Sequence, residues 1–105
     1  IIKIFLHISK DEQKERLQAR LDEADKNWKF NPGDLTDRAL WPHFMEAYSD
    51  VISKTNTEQN PWFVVPADRK WYRNLIVASI VIDALKSLDM KYPPVDFDPA
   101  SITID

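Results

Sequence analysis

Two short stretches of the chain are almost entirely apolar and rich in β-branched residues. The first covers residues 1–9, and the second covers residues 62–65 between Pro61 and Pro66. Continuous apolar runs of this length are typical of strands buried on both faces in a parallel sheet, because a half-exposed strand alternates apolar and polar positions. Both stretches are therefore predicted to be strands covered on two sides.

Helical patterns fill the sequence between these strands. An S-x-x-E capping box of Ser9 and Glu12 predicts the start of a first helix, on which Arg16 is expected to lie on a solvated face. Asp34 is expected to cap a second segment, which must restart near Pro42 because proline does not fit inside a helix. A regular apolar stripe follows this restart and predicts core packing: Trp41, Phe44, Met45, Tyr48, Val51 and Ile52.

The longest helical pattern follows the second strand, with Asp68 as its expected cap. Between residues 71 and 88 apolar side chains cover most of the helix circumference, which is more than one amphipathic stripe requires. This helix is therefore predicted to be central in the fold. Residues 91–105 are too rich in proline to continue it, and Ile102 and Ile104 are candidates for an edge strand.

The resulting order is strand, helix, loop, helix, strand, helix and tail. Strands separated by helices in this way predict an α/β fold with a parallel sheet and right-handed crossovers. Two strands alone make a poor sheet, so we expect further strands on another part of the polypeptide. The loop, residues 24–34, contains Trp28 and Phe30, which are expected to pin it to the body of the protein.

The composition is that of an ordinary globular protein. The 105 residues are 44% apolar and 30% charged, which is enough material for one domain with a hydrophobic core. A net charge of −3 argues against nucleic acid as a partner, since non-specific binding needs a basic surface. The first apolar run is too short to span a membrane, no leader precedes it and cysteine is absent, so we expect a cytoplasmic protein without a membrane partner.

Several kinds of catalytic site are excluded by residue counts. Gly33 is the single glycine, so the chain contains neither of the glycine-rich phosphate loops, G-x-x-x-x-G-K-[ST] and G-x-G-x-x-G. Two histidines without cysteine argue against a zinc site, and no metal ligand is assigned. Carboxylate pairs such as Asp22 and Glu23 stand among basic residues on predicted exposed faces, which argues against acid/base catalysis.

Basic residues beside predicted helix starts are the remaining candidates for chemistry. A helix amino terminus combined with lysine or arginine is what a phosphate chain requires, and phosphoryl transfer uses such groups to stabilise transition-state charge. Asp68, Arg69 and Lys70 form a polar cluster where the second strand meets its helix. The candidate cations are Lys10, Lys29, Arg38, Lys70 and Arg73.

Three segments resemble, in order and spacing, the carboxyl-terminal half of family-2 polyphosphate kinases. They are HISKDEQKERL at residues 7–17, NWKFNPGDLTDRALW at residues 27–41 and PWFVVPADRKWYRN at residues 61–74. The resemblance covers residues 1–97 and implies a P-loop kinase-like α/β fold related to thymidylate kinase. It also implies Mg²⁺-dependent phosphoryl transfer between inorganic polyphosphate and a nucleotide, ADP/ATP or AMP/GDP.

The resemblance further suggests roles for individual residues. A lid at residues 25–41 would close over the phosphates, with Lys29 and Arg38 as its cations and Arg38 as the catalytic one. Lys10, Lys70 and Arg73 are expected to line the phosphate site. The Walker A and B motifs of the family are not in this sequence, so the 105 residues alone are expected to be inactive and the Mg²⁺ ligands to lie outside them. Residues 98–105 are interpreted as an extended tail.

Two other interpretations remain open from the sequence. The chain could be a non-catalytic helical module from a truncated gene that oligomerises through exposed apolar faces, since large apolar surfaces rarely stay monomeric. A homo-oligomer is expected on the same ground. Alternatively, a thymidylate-kinase-like enzyme would transfer phosphate from ATP, although that family lacks the WKF…D…R…W and PAD-x-K strings of residues 28–41 and 66–70.

Overall fold

The computed structural model describes all residues from Ile1 to Asp105 and has the predicted mixed α/β composition. Its helices and strands follow the predicted order, which confirms the fold class. They are β1 (Lys3–His7), α1 (Lys10–Asp22), a 3-10 helix (Ala24–Lys29), α2 (Gly33–Ala39), α3 (Trp41–Thr55), β2 (Trp62–Pro66), α4 (Lys70–Ser87) and a 3-10 turn (Pro99–Ser101).

The two strands form a parallel sheet. Lys3 of β1 is in register with Trp62 of β2, and the pairing continues to His7 and Pro66. One further backbone hydrogen bond, from the N–H of Ala67 to the carbonyl of His7 at 2.8 Å, extends the pairing past the end of β2. Because the strands are parallel, their carboxyl ends lie at one edge of the sheet, where α1 and α4 both begin.

Helices lie on both faces of the sheet, but they cover it incompletely. The ring of Phe5 lies 4.5 Å from that of Tyr48 in α3, whereas Leu6, which points to the opposite face, lines a groove with Val77 of α4. Leu6 is nevertheless 46% exposed and Val64 is 53% exposed. The prediction that both strands are buried on two sides was therefore wrong. Each strand is only partly covered, because one helix on each face shields only part of it.

The hydrophobic core that the composition predicted is very small in the structure. Only Leu17, Val65 and Ala67 are buried. The radius of gyration is 22.3 Å, compared with about 13 Å for a compact domain of this length. The apolar stripe of α3 was predicted to be core, yet none of its residues is fully buried. The chain is an open arrangement of elements, so apolar patterning here exceeds the burial that these 105 residues provide for one another.

Helix α4 was predicted to be central, and this prediction was wrong. None of its residues is buried, and the side chains of Trp71 and Leu75 are mostly exposed. The helix packs against β2 on one side only, so most of its circumference faces solvent. The edge-strand prediction for the tail was also wrong: the sheet has two strands, and Ile102 and Ile104 are exposed outside it.

The starts of α1 and α2 differ from the predicted caps. The Ser9 hydroxyl accepts a hydrogen bond from the N–H of Glu12 at 3.1 Å, but the Glu12 carboxylate does not return to Ser9, because it pairs with Arg16. Asp34 does not cap α2, whose N-cap position is Pro32, and instead accepts a hydrogen bond from Arg20 at 3.4 Å. The predicted restart is confirmed, since α3 begins at Trp41 with proline in its first turn.

The aromatic loop is pinned by one of its two predicted anchors. Phe30 is partly covered and lines a cavity with Leu17, Leu21 and Leu35, so it holds the segment between α1 and α2. Trp28 is 78% exposed. Its predicted anchoring role was wrong, because it lies on the outer side of the 3-10 helix, where the Lys29 ammonium sits 5.2 Å from its ring centre.

Burial at the centre of β2 predicts a contrast between two adjacent valines. Val65 is 1% exposed, so Val65→Ala should lower the free energy of unfolding by about 2 kcal/mol through lost apolar burial and the cavity left behind. Val64→Ala is the matched control and should change it by less than about 0.5 kcal/mol. Urea unfolding of the 105-residue chain measures both, and equal losses would contradict this packing.

Candidate functional site

The carboxyl ends of β1 and β2 place two strand-to-helix junctions side by side. The first junction runs from His7 to Lys10, and the second runs from Pro66 to Lys70. In open α/β sheets ligands bind outside the carboxyl ends of parallel strands, close to helix amino termini that favour anions. This edge is therefore the candidate site of the fold.

Asp68 joins the two junctions directly. Its carboxylate Oδ1 accepts a hydrogen bond from the backbone N–H of Ser9 at 2.7 Å. This hydrogen bond lowers the pKa of Asp68, with a further contribution from the positive charge of Arg16. Asp68 was predicted to cap α4, and this was wrong: the N-cap position is Arg69, without a side-chain cap, because the carboxylate faces the first junction.

Arg16 makes a second connection between the junctions. Its Nη2 donates to the carbonyl of Ala67 at 2.9 Å and to the carbonyl of Asp68 at 3.1 Å, while its Nε pairs with Glu12 at 2.7 Å. Arg16 was expected to lie on a solvated face, and its contacts with the end of β2 were missed. Helical spacing gives no sign that an arginine in the second turn of α1 reaches the end of the neighbouring strand.

Two of the predicted phosphate-site cations lie together at the start of α1. Arg38 of α2 donates through Nη1 to the carbonyl of Lys10 at 2.6 Å and to the side chain of Gln13 at 3.0 Å. Neither Arg38 nor Lys10 forms an ion pair with a carboxylate. Their positive charges are therefore not neutralised within the protein.

Two further candidates lie in the first turn of α4. Lys70 is its first residue, is exposed and has no ion-pair partner. Arg73 donates from Nε and Nη2 to the side-chain oxygen of Asn74, at 3.0 and 2.9 Å, and lines a groove with Leu6. Arg73 and Arg38 line different cavities, so the structure does not gather all the candidate cations in one.

Lys29 is separate from the other candidates. Its carbonyl accepts a hydrogen bond from Arg20, in the last turn of α1, whereas Lys10 is the first residue of that helix. The 13 residues of α1 span about 20 Å. The structure therefore places Lys29 near the opposite end of α1 from Lys10.

A cleft between the two junctions has a volume of about 370 Å³. Asp68 and Arg69 belong to the polar cluster that the sequence indicated, whereas His7 was part of the first apolar run and Tyr72 part of the apolar pattern of the last helix. The pairing of the strands, which the sequence alone does not fix, brings the two residues to one cleft. The cleft is lined by His7, Ser9, Pro66, Asp68, Arg69 and Tyr72.

The residues present do not form a metal site. No cluster of three or more histidine, cysteine, aspartate or glutamate side chains is suitably placed to hold a metal ion. The Mg²⁺ that the sequence resemblance implies has no ligand set among these residues. Separately, none of the helices combines the length and the apolar character that crossing a membrane requires.

The hydrogen bond to Ser9 predicts an acid titration that can be measured at a single amide. We expect the Ser9 amide proton to shift in NMR spectra with a midpoint below 3.8, the ordinary pKa of aspartate. Because the folded-state pKa is lowered, the stabilising contribution of Asp68 is present above the unfolded pKa and is lost as the pH falls through the folded value. The Asp68→Asn variant should lose this titration, and a wild-type midpoint at or above 3.8 would contradict the contact.

Comparisons with known proteins agree with the predicted resemblance. Residues 1–93 match the sequence model of the Polyphosphate kinase 2 family. The chain is 50% identical over its whole length to the AMP/ADP-polyphosphate phosphotransferase of Meiothermus ruber, of which it spans 39%. It is 48% identical over 93 residues to the ADP-polyphosphate phosphotransferase of Rhodopseudomonas palustris, with 89% of the chain and 32% of that protein covered.

The fold is also similar to that of a solved polyphosphate kinase 2. The crystal structure of Polyphosphate Kinase 2 from Arthrobacter aurescens TC1 superposes with a TM-score of 0.92 at 51% identity, covering 96% of this chain and 36% of that one. The predicted P-loop kinase-like α/β architecture is thereby confirmed. With a family match over residues 1–93, the chain belongs to the polyphosphate kinase 2 family.

Proposed function

We propose that the residues at this sheet edge bind a row of phosphates during phosphoryl transfer between inorganic polyphosphate and a nucleoside mono- or diphosphate. The names of the relatives supply the reaction class, since they are phosphotransferases of polyphosphate with AMP, ADP or GDP. The observation that supports the location is the hydrogen bond between Ser9 and Asp68, which joins the helix starts that begin with Lys10 and Lys70.

The charges at this edge suit a polyanion. Lys10 and Lys70 each begin a helix, where backbone N–H groups and the helix dipole favour negative charge, and neither ammonium has an acidic partner. Phosphoryl transfer depends on positioning and on electrostatic stabilisation more than on covalent chemistry by the protein. A pair of helix starts bearing free lysines meets that requirement.

Arg38 is the proposed catalytic cation. Its guanidinium binds neutral oxygens of Lys10 and Gln13 rather than a carboxylate, so a phosphate oxygen would be a stronger acceptor for the same donors. Arg38 also belongs to the predicted lid at residues 25–41, which would let it approach the substrate as the lid closes. Lys29, near the other end of α1, would join the site only through such closure.

The cofactor, the location and the oligomeric state remain predictions. Mg²⁺ dependence, a cytoplasmic location and a homo-oligomer rest on the resemblance and on composition. The exposed apolar faces of α4 support association with further polypeptide. Lys70 and Arg73 are proposed to line the phosphate site from the α4 side.

The first test concerns the 105 residues alone. Because they contain a single glycine and no glycine-rich phosphate loop, we expect no ATP from polyphosphate and ADP in a coupled assay. A complete family protein carrying these residues serves as the positive control and should be active. Turnover by the isolated chain would contradict this account of how the site is assembled.

A substitution series tests the role of Arg38 in a complete protein that carries these residues. Arg38→Ala should lower kcat about 100- to 1,000-fold, as expected for the loss of one transition-state donor. Arg38→Lys should be intermediate, since lysine keeps the charge but not the planar fork of donors. Lys54→Ala removes an exposed ion pair with Asp50 and is the control; wild-type rates in Arg38→Ala would remove Arg38 from the site.

A further inference from the structure

We propose that Asp68 and Arg16 are positioning residues, which hold the two strand-to-helix junctions in one register so that their lysines address the same phosphate chain. The proposal rests on the proposed function. It assigns to these two residues a role in the reaction without contact between their side chains and the substrate.

Residues 67–68 make several hydrogen bonds to β1, α1 and the junction between them. The Ala67 N–H donates to the carbonyl of His7 at 2.8 Å, and the Asp68 carboxylate accepts from Ser9 at 2.7 Å. Arg16 donates to the carbonyls of both Ala67 and Asp68. Four hydrogen bonds thus fasten this turn to the β1–α1 unit, and two of them depend on the side chain of Arg16.

The two lysines lie close to these bonds in the sequence. Lys10 follows Ser9 directly, and Lys70 lies two residues after Asp68. Both lysines begin helices, so a shift of either junction moves the lysine together with its helix amino terminus. The spacing between the two cationic helix starts is therefore set by the bonds at Ser9, Ala67 and Asp68.

The side chains of Arg16 and Asp68 are poorly suited to bind the substrate directly. The Arg16 guanidinium pairs its charge with Glu12 and engages three of its five N–H donors, one with Glu12 and two with the carbonyls of Ala67 and Asp68. Asp68 is ionised at neutral pH, as an ordinary aspartate is, its lowered pKa favours the carboxylate further, and a carboxylate repels phosphate. Since neither group is suited to hold the substrate, what they contribute is the geometry of the groups that do.

Conservative variants can separate positioning from folding. Asp68→Ala removes the acceptor, whereas the Asp68→Asn side chain keeps an oxygen at the same place that can accept a weaker, uncharged hydrogen bond from Ser9. Arg16→Lys keeps the charge, but one ammonium cannot reproduce the fork that reaches Glu12 and both carbonyls. Asp50→Asn, which breaks the exposed Asp50–Lys54 ion pair in α3, is the matched control.

The experiment measures kcat and KM for short-chain polyphosphate, with ADP as acceptor, in a complete protein that carries these residues. We expect Asp68→Ala to lower kcat/KM about 10- to 100-fold, the range found when a supporting group of a site is lost. Asp68→Asn should recover most of this loss, Arg16→Lys should be intermediate and Asp50→Asn should equal wild type. Because both residues fasten one turn, Asp68→Asn combined with Arg16→Lys should lose less than the product of the single effects.

The outcomes distinguish this proposal from the proposed function. If the wild-type protein does not transfer phosphate, the proposed function fails and the positioning role fails with it. If wild type is active and folded Asp68→Ala and Arg16→Lys both keep full kcat/KM, the positioning role alone is overturned. Should Asp68→Ala not fold, Arg16→Lys decides, with urea unfolding confirming that this variant is folded.

Discussion

The hydrogen bond from the Ser9 N–H to the Asp68 carboxylate is the contact on which the arrangement of the candidate site depends. It joins residues 59 positions apart in the sequence, and it does so where both parallel strands end. A charged acceptor makes such a bond roughly twice as strong as a neutral one. With Arg16 bridging the same two junctions, one small set of polar contacts determines where α1 and α4 begin relative to each other.

Among these 105 residues apolar burial is scarce, so polar contacts largely specify how the elements are arranged. Three buried residues provide little of the non-directional stabilisation that normally holds a domain together. The parallel register of the two strands and the bonds beyond their ends therefore specify the arrangement. Helix α4 is an example. Its apolar residues cover most of its circumference and would suit packing on several sides, but within these residues the helix packs mainly against β2.

The sequence predicted local features well because their causes are local. The Ser9 cap, the helix restart at Pro42 and both strands follow from side-chain chemistry within a few residues. Burial could not be predicted, because it depends on what packs against an element: α4 and the α3 stripe have the pattern of core helices without being buried. Of the site, the sequence indicated the lysines at helix starts, and the resemblance suggested a role for them in phosphate binding.

The contacts of Asp68 and Arg16 that join the two junctions could not be predicted from the sequence, because they depend on the pairing of the strands. Asp68 stands where a helix cap is expected, and only the pairing of β1 with β2 brings Ser9 close enough to be its partner. Arg16 forms an ion pair with Glu12 in the same helix, so the sequence gives no indication that it also donates a hydrogen bond to Ala67 at the end of β2.

The most direct test of the central claim is a crystal structure of a complete protein carrying these residues, with a short polyphosphate bound. We expect the Nζ atoms of Lys10 and Lys70 to lie within about 4 Å of phosphate oxygens of one chain, a distance at which an ion pair forms. The hydrogen bond between Ser9 and Asp68 should be retained. A phosphate chain bound away from this sheet edge, in contact with neither lysine, would contradict the account.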